Sequence, residues 1–212
     1  MGGNSVVVVN MKMVDSNMKS KHLQDMISYA CGKKKELFVL YYASPLSDLD
    51  THLVLDLAIY GADEIDPDMN LVKGCGGSLR REKVIEVCCK KLVVIVDETK
   101  LVDYVGGSRL AMSVEIVSFC WKFTTQKLQS LFEEADCVPK LCVLPKNGKA
   151  YVIDNGNFII NLYFKKDIGG LKVVDDAISR PANVVDHGMM FIDMVTTLIV
   201  AGELGARVRN KC

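Results

Sequence analysis

The sequence predicts an α/β protein: a doubly wound, largely parallel sheet domain interrupted by a smaller α+β insert. Three observations point there. Short apolar runs, SVVVV (5–9), ELFVLYY (36–42), LVLDLAI (53–59) and LVVIV (92–96), are partly β-branched and lack clean alternation. Strands buried on both faces of a parallel sheet have that pattern. Helical patterns, KHLQDMISYACGKK (21–34) and SLRREKVIEVCCKK (78–91), fall between them, and strands alternating with helices define the α/β class. The second half runs strand, helix, strand, strand, helix, strand, the order of the split βαβ or ferredoxin-like motif.

Each element of that second half has its own signal. MSVEIVSF (112–119) reads as a strand and TTQKLQSLFEEA (124–135) as a helix, with Leu128, Leu131 and Phe132 on one face. VPKLCVLP meets KAYVID across Asn147-Gly148, a hairpin signal because both turn positions favour positive φ. NFIINLYF (157–164) extends the sheet, LKVVDDAIS (171–179) is a short helix, and HGMMFIDM continues the last strand. The tail, TLIVAGELGARVR, rejoins the first sheet. The expected division is therefore a sheet domain over 1–115, with 193–212 returning to it, and a ferredoxin-like domain over 116–192.

Composition excludes several classes. Lys plus Arg number 26 and Asp plus Glu number 26, so no broad attraction to nucleic acid or an anionic membrane is indicated. Apolar runs such as LVVIV and TLIVA are far too short to cross a bilayer. The 8 cysteines do not suit a disulfide framework in a chain of this size. Cys137 and Cys142 have no second pair or nearby histidine, so no metal site is expected, and Cys88 and Cys89 read as small packed hydrophobes. Reduced thiols and an N-terminus without an Arg- and Ser-rich leader make cytoplasm the expected compartment.

The chemistry concentrates in one connection, YGADEIDPDMNLVKGCGGSLRREK (60–83). Connections of this kind usually take about 2–6 residues, and longer ones at the carboxyl ends of sheet strands commonly carry ligands. Ile65, Met69, Leu71 and Val72 give the segment its own apolar anchors. Gly74, Gly76 and Gly77 suit either a tight turn or a nest of backbone N–H groups for an anion, with Lys73 beside them. The run matches neither the P-loop nor the dinucleotide fingerprint. At 100° per residue Glu82 shares a helix face with Leu79, Ile85 and Cys89. It is either a desolvated carboxylate suited to proton transfer or a glutamate paired with Arg81, Lys83 or Lys90. Asp63 and Asp66-Pro67-Asp68 carry turn signals. Lys100, just beyond LVVIVDETK, is either a phosphate contact or a solvated loop lysine.

The stretch DLAIYGADEIDPDMNLVKGCGGSLRREK closely resembles the central signature of the type A ribose-5-phosphate isomerases, especially plant members. The resemblance continues through VIVDETKLV, LAMSVEIVSFCWKF, YVIDNGNFIINLYF and VVDHGMMF, over about residues 50–205. It implies a Rossmann-like domain with a ferredoxin-like domain, a homo-oligomer (a dimer), and no metal or cofactor. The implied reaction is the aldose–ketose interconversion of D-ribose 5-phosphate and D-ribulose 5-phosphate in the pentose phosphate pathway. On the family pattern Glu82 moves a proton between C2 and C1, and Lys73 stabilises the oxyanion that develops. Asp63 orients sugar hydroxyls and assists ring opening. Gly61, Ala62, Gly74, Cys75 and Gly76 line the substrate, and Lys100 faces its phosphate.

The chain departs from the family pattern in three places. Tyr60 stands where the motif begins with aspartate, and a phenol is no base near neutral pH. No Gly-Thr-Gly-Ser-Thr phosphate loop follows SVVVV. The chain also passes from LFVLYYAS almost directly to PLSDLDTH, omitting a stretch that family members carry. These departures leave an alternative in view: a non-catalytic paralogue that binds sugar phosphate or pairs with active subunits.

Overall fold

The computed structural model describes residues 7–10, 27–29, 49–50, 55–74, 77–190 and 194–211. The strand expected at 36–42 lies outside the described residues. In chain order the strands are β1 (Val7–Asn10), β2 (Ile27–Tyr29), β3 (Leu57–Tyr60), β4 (Glu64–Ile65), β5 (Leu71–Val72), β6 (Leu92–Asp97) and β7 (Met112–Ile116). They continue as β8 (Val138–Leu141), β9 (Phe158–Tyr163), β10 (Val184–His187), β11 (Met189–Met190), β12 (Thr197–Gly202) and β13 (Gly205–Asn210). The α-helices are α1 (Leu79–Val87), α2 (Trp121–Leu131) and α3 (Leu171–Ser179). Two compact units result. One draws on Met1–Gly61, Arg81–Asp97 and Met194–Cys212, the other on Ala62–Arg80 and Glu98–Asp193.

The first unit is a six-stranded sheet in the order β13-β12-β6-β3-β1-β2. Only its centre is parallel: β3 pairs with β6, and β6 with β12, in that sense. A parallel pair needs a crossover connection, which α1 supplies between β3 and β6. The expectation of a largely parallel sheet is corrected at the flanks, because β1 runs antiparallel to both β3 and β2, and β13 antiparallel to β12. An apolar run reads the same whichever way its neighbour runs, so composition alone does not carry direction. The expected helix over 21–34 is corrected too. Ile27–Tyr29 is a strand, with Tyr29 opposite Val8. Ile and Tyr favour strands, and an available edge on β1 outweighs a weak helical period. The tail does rejoin this sheet, as β12 and β13.

The second unit is built on an antiparallel sheet in the order β10-β7-β9-β8, the arrangement of the ferredoxin-like motif, with α2 and α3 packed on it. Every residue of β7 is buried. Its core joins Val114, Ile116 and Ile160 of the sheet to Leu128 of α2 and Ile178 of α3. Phe132 meets Phe164 edge to face, ring centroids 5.3 Å apart. Two local expectations differ. Leu131 is exposed rather than buried beside Leu128 and Phe132, since it falls past the buried face of α2. At the hairpin tip Gly148 alone takes positive φ (65°), and the Asn147 and Gly148 N–H groups both donate to the Leu144 carbonyl. The loop is longer than a two-residue turn, so Asn147 keeps an ordinary conformation.

HGMMF is the most informative departure. The strand does not continue straight: β10 pairs with β7, whereas β11 joins β5 and β4 in a separate small sheet. The switch falls at Gly188. Its N–H donates to the Ser113 carbonyl at 2.7 Å, and its carbonyl accepts the Lys73 N–H at 2.8 Å. One residue thus ties the large sheet of this unit to the small one.

Candidate active site

The small sheet β11-β5-β4 organises the charged loop. Asp66 is a turn-former: one carboxylate oxygen accepts the N–H groups of Asp68 and Asn70, and the other accepts the Asn70 amide. Met69 takes φ 65° at the tip. The turn returns the chain so that β4 and β5 pair, and the Asp63 N–H donates to the Val72 carbonyl at 2.7 Å. Asp63 and Lys73 are thereby brought to the open end of one hairpin, although 10 positions separate them in the sequence.

Lys73 is buried, with 5 % of its surface exposed. Gly74 follows at φ 110°, and Gly77 at φ 79° donates its N–H to the Gly74 carbonyl at 2.9 Å. The tight-turn reading of this run therefore holds at Gly77, whose N–H closes the turn instead of facing a ligand. A β-carbon on Gly77 would stand 2.9 Å from the Ile153 Cγ2 methyl, so glycine is required for that approach as well as for its φ. Cys75 and Gly76 lie outside the described residues.

Glu82 sits in the first unit, on the first turn of α1. It is 5 % exposed and shares the buried side of the helix with Leu79, Ile85 and Glu86, while Val84 and Val87 face outward. Tyr60, the departure at the end of β3, is also buried, and its hydroxyl donates to the Glu82 backbone carbonyl at 3.3 Å. The phenol therefore braces the helix turn that carries the glutamate. Gly61 is half-buried and Ala62 buried, directly after β3. Lys100 ends a single 3-10 turn, Glu98–Lys100, in the second unit and is half-buried.

Glu64 and Gly188 carry structural weight that their sequence context does not advertise. Glu64, one more acid in a crowded run, is almost fully buried and accepts hydrogen bonds from Gly106 and Ser108. Gly188 was detectable in principle, since a lone glycine within a strand pattern marks a close backbone approach. Among the described residues no group of three or more His, Cys, Asp or Glu is arranged to hold a metal ion, and no helix is long and apolar enough to cross a membrane.

Comparison with known proteins agrees with this architecture. The family model described as ribose 5-phosphate isomerase A (phosphoriboisomerase A) matches residues 28–205. A probable ribose-5-phosphate isomerase 2 of Arabidopsis thaliana is 52 % identical over 194 residues, covering 92 % of this chain and 72 % of that protein. Among solved structures, the ribose 5-phosphate isomerase from Plasmodium falciparum superposes with a TM-score of 0.80 at 31 % identity, over 86 % of this chain and 77 % of that one. A D-ribose-5-phosphate isomerase in complex with phospho-erythronic acid gives 0.79 at 28 % identity, over 87 % and 78 %. With the family model matched over most of its length and half its residues shared with the plant relative, the chain belongs to the ribose 5-phosphate isomerase A family.

Proposed function

We propose that this protein interconverts D-ribose 5-phosphate and D-ribulose 5-phosphate, the aldose–ketose step of the non-oxidative pentose phosphate pathway. Family membership sets the reaction class, and one observation carries the assignment of the base. Glu82 is a carboxylate held on the buried side of a helix between Leu79 and Ile85, only 5 % exposed, where it can meet a substrate carbon away from bulk water. In the open-chain aldose this carboxylate removes the proton from C2. The C2–H electrons form the C1–C2 double bond of an enediolate as the carbonyl oxygen on C1 gains negative charge. The C2 hydroxyl passes its proton to the C1 oxygen, and Glu82 returns the carbon-bound proton to C1 as the C2 oxygen becomes the ketone. The ammonium of Lys73, itself buried, offsets the transient oxyanion, an interaction worth most where water is excluded. Asp63 orients sugar hydroxyls during ring opening, Gly61, Ala62, Gly74, Cys75 and Gly76 line the sugar, and Lys100 meets the phosphate. No metal or other cofactor is assigned a step.

Glu82→Gln keeps the shape and removes the base. Turnover of ribose 5-phosphate to ribulose 5-phosphate is expected to disappear while calorimetric binding of the sugar phosphate persists. Unchanged turnover would overturn the assignment. A second reading, a non-catalytic member that binds sugar phosphate or pairs with active subunits, is favoured by Tyr60, whose phenol fills the position of the motif's first aspartate. It predicts binding without isomerisation at any protein concentration. Loss of one contact made in the transition state commonly costs about 10²–10³ in rate, so a slow but measurable enzyme supports the first reading.

The protein is further read as a homodimer. The support is the family's habit together with the exposed Phe119, Phe123 and Leu131 on and beside α2, and sedimentation velocity tests it. The free thiols of Cys88, Cys89, Cys120, Cys137 and Cys142 suit a reducing compartment, the cytoplasm in this reading.

A further inference from the structure

The mechanism leaves several deeply buried carboxylates without a task, and Glu64 is the one within the charged loop. Glu64 is 1 % exposed, the most buried of the four acids at positions 63–68. Its carboxylate accepts the Gly106 N–H at 2.6 Å, the Ser108 N–H at 3.3 Å and the Ser108 hydroxyl. Gly106 at φ 89° and Arg109 at φ 61° curl the backbone there, so that two N–H groups two residues apart reach the same carboxylate. Hydrogen bonds from fixed donors to a carboxylate are among the stronger ones a fold can make.

The neighbouring residue grips the other limb of the same segment. Ile65 bridges in parallel to Leu101, and its carbonyl accepts the Val102 N–H at 3.0 Å. Two consecutive residues of β4 therefore hold the chain at both 101–102 and 106–108. The segment begins with the 3-10 turn that presents Lys100, and Lys100 immediately precedes the first grip.

We propose that Glu64 is a positioning residue for Lys100: by anchoring the 106–108 limb it fixes the path of the lysine's loop, and so sets affinity for the phosphate group without entering the proton transfer. This rests on the reading of Lys100 as the phosphate contact. A lysine ammonium is a point charge on a flexible stem, so its contribution depends on where its backbone is held.

Glu64→Gln is nearly isosteric, but it places an amide N–H₂ donor among donors. It is expected to raise KM for ribose 5-phosphate about tenfold with kcat within about twofold, because a misplaced contact made equally in ground and transition states alters binding alone. Inhibition by inorganic phosphate should weaken by a similar factor. Ser108→Ala removes one donor from an exposed loop position and should move KM about threefold in the same direction. In a Lys100→Ala background neither substitution should raise KM further. A fall in kcat at unchanged KM, or effects that multiply with Lys100→Ala, overturns the proposal. Should Glu64→Gln fail to fold, an unchanged KM in Ser108→Ala overturns it. If Lys100→Ala itself leaves KM and phosphate inhibition unchanged, the phosphate reading of Lys100 falls first and takes this proposal with it. If Lys100→Ala raises KM and Glu64→Gln does not, only the positioning role is lost.

Discussion

A methyl group built on Gly188 would lie 2.0 Å from the carbonyl oxygen of Lys73. The two residues also share a hydrogen bond of 2.8 Å, from the Lys73 N–H to the Gly188 carbonyl. The obstacle is backbone, so it has no flexible side chain to yield. Gly188→Ala must push β5 and β11 apart and break that bond, which we expect to cost about 2–4 kcal/mol. At the scale of this chain that is a fall of several degrees in melting temperature, accompanied by lower kcat because Lys73 moves. Calorimetry and steady-state kinetics on the same sample check both; an unchanged melting temperature would show that the strands have slack.

Tyr60 supplies a second prediction. Its hydroxyl donates to the Glu82 carbonyl, so Tyr60→Phe should cost about 0.5–1.5 kcal/mol by urea denaturation. Turnover should fall only modestly, because the phenol braces the helix rather than the substrate. Tyr60→Asp restores the residue of the family motif but sets a carboxylate at a position 2 % exposed and leaves the carbonyl without this donor. It should be the less stable of the two, with no gain in rate. A clear gain would mean that the phenol impairs the site.

The turn at Ile153–Asn157 is held from within. Glu115 of β7 is fully buried, and one of its carboxylate oxygens accepts the side-chain amides of Asn157 at 2.7 Å and Asn155 at 3.2 Å. Asn157→Ala withdraws the shorter bond from a buried charge-bearing group and should destabilise by about 1–3 kcal/mol. Ile153, at the start of that turn, abuts Gly77. Hydrogen exchange at the Gly77 N–H should therefore quicken in the variant, and unchanged exchange would uncouple the turn from the loop.

The cysteines predict a pH response. Burial, with Glu86 adding to it, pushes the Cys89 thiol from 9.0 up to about 11, and burial raises Cys137 to about 11 as well. At pH 8 only about one in a thousand of either is thiolate, so iodoacetamide should modify both slowly in the native protein and readily in guanidinium. Because the folded state favours the neutral thiol, their contribution to stability is intact below about pH 9 and declines as pH rises toward about 11. Denaturation curves between those limits should show the decline, and a flat profile would contradict it.

Much of the frame was legible in the order of residues. Runs of adjacent apolar side chains marked β3, β6, β7 and β9, helical spacing marked α1, α2 and α3, and their succession carried the split βαβ arrangement. Asp66 was legible as a turn-former because its partners, Asp68 and Asn70, lie within four positions. These are local properties, written in spacing. The direction of β1 and the strand at Ile27–Tyr29 were not legible, and the lone glycine at 188 signalled a close backbone approach without naming the strand it meets, because each depends on a partner that comes from elsewhere in the chain.

The same division runs through the loop at 60–83. By itself the sequence determined that charge and glycine concentrate there, and that a glutamate falls on the apolar side of the following helix. Only the tertiary structure decided what each charge does. Glu64 became an anchor because Gly106 and Ser108 bring their donors to it from about 40 positions away, and Lys73 is held by a carbonyl more than 100 positions on. Hydrogen-bond partners at such separations are chosen by how sheets pack, and packing leaves no periodic trace in the chain that it joins.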